Sequence, residues 1–290
     1  MKGNRTVEGL NPPMKSGSTP EAGAVTNCNE KQQLCMFGSS LPKSQKSKAS
    51  GFNYYDVLPV SVIECARSEK KRRDGKKDFN NQSSRAMRSE FWPEAATLAY
   101  QHWLRDCKVV ADPFAGWGER HYYAKKNAIL YKGFDLSPEA IKYAKEEYGI
   151  ENELADSMDV TLEGFDGLLT CPPYWNLELY SNDRRGGDRM KTWPEFKSWY
   201  AKLFWNWYER ANAGAWFVIV TGNWRMKKVY YDLDYWTRHC FSQYGAEMKD
   251  SVVLSRRKIS KIKIMMPQAK EHKYSVNVHE TMNVFRKPAL

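Results

Sequence analysis

The 290-residue sequence shows no stretch that reads as a secretory leader, no apolar run long enough to cross a bilayer and no internal repeat. Its six cysteines include no paired C-x-x-C. A membrane-spanning protein, a disulfide-stapled secreted domain and a zinc ribbon are therefore set aside. Cys28 and Cys35 stand in a polar segment with no matching pair, and no metal site is expected. The thiols read as free, in a reducing cytoplasm. Negative charge is also short: 34 acidic residues face 45 Lys and Arg, a formal net charge of +11. That balance suits a polyanionic partner, most simply nucleic acid. Aromatics make up 14% and apolar residues 42%, ample material for a core.

Residues 1–50 are rich in Gly, Pro, Ser, Asn and Lys without periodicity and read as a mobile N-terminal arm. Residues 51–290 read as one domain. Tyr54 to Ile63 is an ordered extended segment, followed by a basic run from Arg67 to Lys77. A helix is expected to open near Ser89, as N-cap, and to run to Leu104. Strands are expected at Lys108–Phe114, Ile129–Phe134, around Glu153–Ser157, Phe165–Thr170 and Ala215–Thr221, and helices at Glu119–Asn127, from Ser137, at Glu195–Arg210 and at Leu233–Tyr244. The last two strands, Lys249–Leu254 and Thr281–Arg286, have no helix expected between them. This alternation predicts a three-layer, Rossmann-like α/β sheet, mainly parallel, with an antiparallel strand at one edge.

Two stretches carry the chemistry. Asp112-Pro113-Phe114-Ala115-Gly116-Trp117-Gly118 joins a strand to a helix, where glycines let a ligand approach the backbone. Asp135 ends the next strand about 20 residues on, the spacing of a carboxylate that binds ribose hydroxyls. The dinucleotide fingerprint fails, because its third glycine position is His121. A nucleoside cofactor without phosphates fits better, and S-adenosylmethionine (AdoMet) is the obvious candidate. Asp156, at the next strand end, is placed to receive the adenine amino group. Glu119, Arg120 and His121 read as residues that cap or coat a helix. The second stretch, Thr170-Cys171-Pro172-Pro173-Tyr174-Trp175, is a rigid loop at the carboxyl end of a buried strand. In open α/β sheets that edge binds ligands.

The first stretch resembles the AdoMet-binding motif of amino-group DNA methyltransferases. Cys171-Pro172-Pro173-Tyr174 resembles their catalytic motif, usually [D/N/S]-P-P-[Y/F/W], and Phe91-Trp92-Pro93 is similar to their second cofactor-binding segment. His279 to Lys287 is similar to the strand that closes many members' catalytic domains. The run from Thr170 to Ser181 looks most like phage and prophage DNA methylases, which would place the protein in a host cytoplasm. The resemblance covers about Val57 to Pro288. It implies methyl transfer from AdoMet to an exocyclic amine of a flipped base in double-stranded DNA, N4 of cytosine or N6 of adenine. It further implies a cofactor site of Phe91, Asp112, Phe114, Gly116, Gly118, Asp135, Leu136, Asp156 and Ser157, and a catalytic loop of Cys171, Pro172, Pro173 and Tyr174, with Tyr174 stacked on the base.

Position 171 departs from the pattern, since a thiol is a weak hydrogen-bond acceptor. It raises C5-cytosine methylation through a thiolate as a rival, although that family's pattern is Pro-Cys-Gln. A catalytically weak nucleic-acid-binding protein with a methylase fold is a second rival, and an RNA methyltransferase a third. Arg67, Lys70, Lys71, Arg72 and Arg73, with Arg256, Arg257, Lys258 and Lys261, are the expected DNA phosphate contacts.

Overall fold

The structure is a computed structural model that describes residues 59–65, 91–176, 186–187, 190–256 and 262–289. All belong to the compact unit Asn53–Leu290. The N-terminal arm, Arg67, Lys70, Lys71, Arg72, Arg73, Ser89, Arg257, Lys258 and Lys261 lie outside the described residues.

Described elements follow in chain order as β1 (Val62–Cys65), α1 (Pro93–Gln101), β2 (Val109–Asp112), α2 (Glu119–Lys126), β3 (Leu130–Asp135), α3 (Pro138–Tyr148), β4 (Glu153–Leu154), β5 (Gly167–Thr170), α4 (Trp193–Arg210), β6 (Trp216–Thr221), β7 (Trp224–Met226), β8 (Val229–Tyr231), α5 (Leu233–Gln243), β9 (Glu247–Arg256), α6 (Ile262–Glu271) and β10 (His279–Arg286). Eight strands form one sheet in the order β1-β9-β10-β6-β5-β2-β3-β4, and β7 and β8 pair separately. The pairs β6–β5, β5–β2, β2–β3, β3–β4 and β1–β9 are parallel, and β10 runs against both its neighbours.

Alternation along the central strands sorts side chains to two cores. Val110, Leu169, Val218 and Val220 join the α1 residues Ala95, Leu98 and Ala99 and the α2 residue Ala124 on one face. Ala111, Leu168, Phe217 and Ile219 join the α4 residues Phe196, Leu203, Phe204 and Trp207 and the α5 residue Phe241 on the other. Period-2 strands sandwiched by period-3.6 helices thus make three layers. Local chemistry starts the helices where expected. In α4 the Thr192 hydroxyl accepts from the Glu195 amide and the Glu195 carboxylate closes a capping box. Ser137 caps α3, with Pro138 in its first turn.

Four details differ from the sequence expectation. The reversed strand β10 lies inside the sheet, between β9 and β6, and not at its edge. Its residues Thr281 to Phe285 are buried in succession, which suits a strand covered on both faces; the true edges are β1 and β4. Helix α6 stands between β9 and β10, where the sequence pattern predicts none, because Pro267 and the surrounding lysines disguise its periodicity. α1 begins at Pro93, with Trp92 at the N-cap and no side-chain cap. The β7–β8 hairpin carries no Asn-Gly signal, since its turn is Lys227-Lys228.

Candidate functional site

Asp112, Asp135, Leu154, Thr170 and Thr221 end parallel strands β2 to β6, and the reversed β10 begins at the same edge with His279 and Glu280. The two sequence stretches therefore meet along one carboxyl edge, where open α/β sheets hold ligands. A separate cleft of about 500 Å³, lined by His102, Cys107, Asp166, Trp216 and Arg286 among others, lies at the amino edge and contains none of the candidate residues.

The Gly loop is held by Asp112, which is fully buried. Its Oδ1 accepts from the Phe114 amide at 2.9 Å and the Thr170 hydroxyl at 2.5 Å. Oδ2 accepts from Arg120 Nε at 2.5 Å and the Tyr131 hydroxyl at 2.5 Å. Four donors fill the four acceptor positions of a carboxylate. The sequence motif predicts Asp112 as a cofactor contact; its carboxylate is instead saturated by protein donors and fixes the loop. Burial alone would favour neutral Arg120, but Asp112 outweighs it and holds the guanidinium charged. Arg120 also donates to the Phe114 carbonyl and lies 4.7 Å from the Phe91 ring centre. It is a buried tie between the Gly loop and the Phe91 segment, not a surface residue coating α2. His121 stacks on Tyr131 and bonds Asn152 through Nδ1 at 2.8 Å, so it packs towards β3 and does not cap α2. Burial lowers its pKa, so the ring stays neutral.

Gly118 N-caps α2 with φ of 96°, and a Cβ there would lie 2.8 Å from Ala144 Cβ. Both conformation and packing demand glycine. Gly116 also has positive φ, 56°, and a Cβ there would touch the Phe114 carbonyl at 3.8 Å and Arg120 Nη2 at 3.9 Å, ordinary van der Waals contact.

Asp135 is tied to the same loop. Its Oδ2 accepts from the Gly116 amide at 2.8 Å and its Oδ1 from the Ser137 amide at 2.9 Å. Each oxygen retains acceptor capacity. Burial raises the Asp135 pKa, against the lowering effect of the Ser137 and Gly116 amides. The Asp156 carboxylate accepts from the Met158 amide at 3.0 Å, in the turn after β4. Ser157 is buried: its hydroxyl donates to the Pro113 carbonyl and its own carbonyl accepts from Trp207 Nε1 at 3.1 Å. Its side chain thus secures the Asp156 turn to the Gly loop. Phe91 is buried, while Phe114 and Leu136 are half-exposed on the edge.

In the second stretch Cys171 and Pro173 are half-buried and Pro172 is buried. Burial, then nearby Glu280, pushes the Cys171 thiol up to about 12. It is a neutral thiol at physiological pH. Tyr174 is only 8% exposed: its ring packs 5.6 Å from Trp224 and its hydroxyl lies 3.5 Å from Glu280 Oε1. The ring is turned into the body and not laid open as a stacking platform. Gly222 makes this possible, since a Cβ there would lie 3.1 Å from the Tyr174 hydroxyl. The other Glu280 oxygen accepts from Trp92 Nε1 at 2.9 Å. One carboxylate on β10 thereby joins the Tyr174 loop to the segment that opens α1.

Sequence reasoning quotes Trp92, Thr170 and Glu280 only inside longer motifs, reads Arg120 as coating a helix and does not single out Tyr131. Their partners are distant in sequence, and only the repeated placement of polar residues at strand ends hints at them. Arg256 is the last residue of β9, at the same edge.

The class that fold and site define is a Rossmann-like α/β protein with a Gly loop and a Pro-Pro-Tyr loop on one sheet edge. No family model matches the chain, and no curated protein matches it. Solved structures similar to it include TrmN from Thermus thermophilus, at 14% identity and TM-score 0.43, covering 69% of this chain and 50% of that one. A TehB-like SAM-dependent methyltransferase from Corynebacterium glutamicum matches at 17% identity and TM-score 0.42, covering 67% and 86%. A putative RNA methyltransferase from Pyrococcus horikoshii matches at 14% identity and TM-score 0.43, covering 67% and 83%. The chain thus spans half the length of TrmN. No helix among the described residues is long and apolar enough to cross a membrane.

Proposed function

We propose that the protein is an AdoMet-dependent methyltransferase that modifies an exocyclic amine of a flipped base in DNA. The observation that carries the reading is the meeting, on one carboxyl edge, of the Asp112-anchored Gly loop, Asp135 and the Cys171–Tyr174 loop. The residues fit the cofactor: Asp135, held by the Gly116 and Ser137 amides, has acceptor capacity for two ribose hydroxyls. Asp156 would receive the adenine amino group, with Phe91, Phe114, Leu136 and Ser157 shaping or supporting the cradle. Bound AdoMet supplies an electrophilic methyl group.

An aromatic amine is a poor nucleophile because its lone pair is delocalised into the ring. Acceptors that hold its hydrogens favour a more tetrahedral, more nucleophilic nitrogen. The Pro172 carbonyl is the acceptor this loop offers, and the neutral Cys171 thiol adds little. Rigid prolines hold that carbonyl in place, so positioning supplies much of the rate. To stack on the base, Tyr174 would have to leave its packing against Trp224 and its hydroxyl contacts to Glu280 and Cys171. A nucleophilic thiolate is disfavoured by the raised Cys171 pKa. The excess of Lys and Arg supports a nucleic acid substrate.

Asp135→Ala should weaken AdoMet binding by about 1–3 kcal/mol, the worth of hydrogen bonds to a charged acceptor. Only the carboxylate accepts both hydroxyls, so affinity should fall as pH drops through its raised pKa. Asp135→Asn should flatten that dependence. Calorimetry across pH checks both, and unchanged affinity in the Ala variant would remove Asp135 from the cofactor site. Label from tritiated AdoMet should pass to unmodified DNA. Transfer to RNA alone would replace the DNA reading.

A further inference from the structure

The β7–β8 hairpin is not used by the mechanism above. It leaves the carboxyl end of β6 beside the catalytic loop. Trp175 lies 5.1 Å from Tyr231, ring centre to ring centre, and Asn176 Nδ2 reaches Met226 Sδ at 3.6 Å. Met226 pairs with Val229, which leaves Lys227 and Lys228 as a two-residue turn. Both have positive φ, 49° and 70°, as a type I′ turn requires. Asn-Gly takes that conformation easily, whereas lysine is strained in it. Both lysines are exposed, as are Val229 and Tyr230. Behind them the Arg225 guanidinium lies 4.7 Å from the ring centres of both Tyr230 and Tyr274. Two cations kept at a strained tip, over an Arg–aromatic stack and beside the base-binding loop, have the chemistry of a phosphate-backbone contact.

We propose that the β7–β8 hairpin grips DNA, with Lys227 and Lys228 on phosphates that flank the base presented to the Cys171–Tyr174 loop. The inference rests on the DNA reading and adds a contact surface to it. The test is the salt dependence of full-chain affinity for an unmodified duplex, with AdoMet affinity and Tm measured alongside. Each phosphate contact contributes about 0.9 to the slope of log affinity against log salt. Lys227→Asn/Lys228→Gly should therefore lose about two units of slope and bind DNA more weakly. Its Tm should rise by a few degrees as turn strain is relieved, and AdoMet affinity should stay the same. Lys227→Gln/Lys228→Gln, which removes the charge without supplying Asn-Gly, should lose the same slope. If the wild-type chain binds DNA steeply with salt and both variants keep its slope, the lysines are solvated turn residues and the inference falls. If the wild-type chain has no affinity for DNA, the DNA reading itself fails and takes the hairpin with it.

Discussion

Asp112→Ala should destabilise the fold by about 3–5 kcal/mol, the cost of removing one partner of a buried ion pair. Asp112 is fully buried and Arg120 is 5% exposed. The substitution leaves a guanidinium in the interior beside the Tyr131 and Thr170 hydroxyls, all without their shared acceptor. In the intact protein burial, then Asp112, push the Tyr131 pKa well up, so its phenol is a protonated donor to that carboxylate. The Phe114 amide loses its acceptor too, and the Gly loop loses its shape. AdoMet binding should therefore disappear with the stability. Denaturant unfolding measures the first effect and calorimetry the second. A loss below about 1 kcal/mol, the scale of exposed ion pairs, would show that Asp112 does not anchor the Gly loop.

The second large effect separates two chemistries at the Pro-Pro loop. Cys171→Ser should retain or raise activity, because a hydroxyl accepts hydrogen bonds better than a neutral thiol. Tyr174→Ala should lower kcat/KM by about 10- to 100-fold, as stacking on an unpaired base is worth about 1–3 kcal/mol. It also empties a buried aromatic pocket, at a cost of about 3–5 kcal/mol in stability. Tyr174→Phe keeps the ring and gives up the 3.5 Å contact to Glu280, so it should keep most of the activity. In C5-cytosine chemistry the thiolate attacks carbon, and Cys171→Ser abolishes turnover. That chemistry also requires a covalent adduct on DNA carrying 5-fluorocytosine. An inactive Ser variant together with an adduct would overturn the amine chemistry.

The Gly loop, Asp135 and the Pro-Pro-Tyr loop are legible in the sequence because each is a local signal. A strand, a turn residue and a cap sit within a few positions of one another. Arg120, Thr170 and Glu280 are not, because their roles come from partners brought together by sheet order. In the sequence Arg120 is one more charge on a helix face; the fold places it under Asp112. Strand-helix alternation conveys the three layers and the parallel sheet. It does not convey the place of β10, whose position depends on burial on both faces. The hairpin stays hidden because its turn residues are the reverse of what a type I′ turn favours.

The central claim is methylation of an exocyclic amine. It is tested most directly by identifying the nucleoside that carries label after the full chain acts on unmodified duplex DNA with tritiated AdoMet. Enzymatic digestion and mass spectrometry should find N4-methylcytosine or N6-methyladenine. Label in 5-methylcytosine, or none in the DNA, would contradict it.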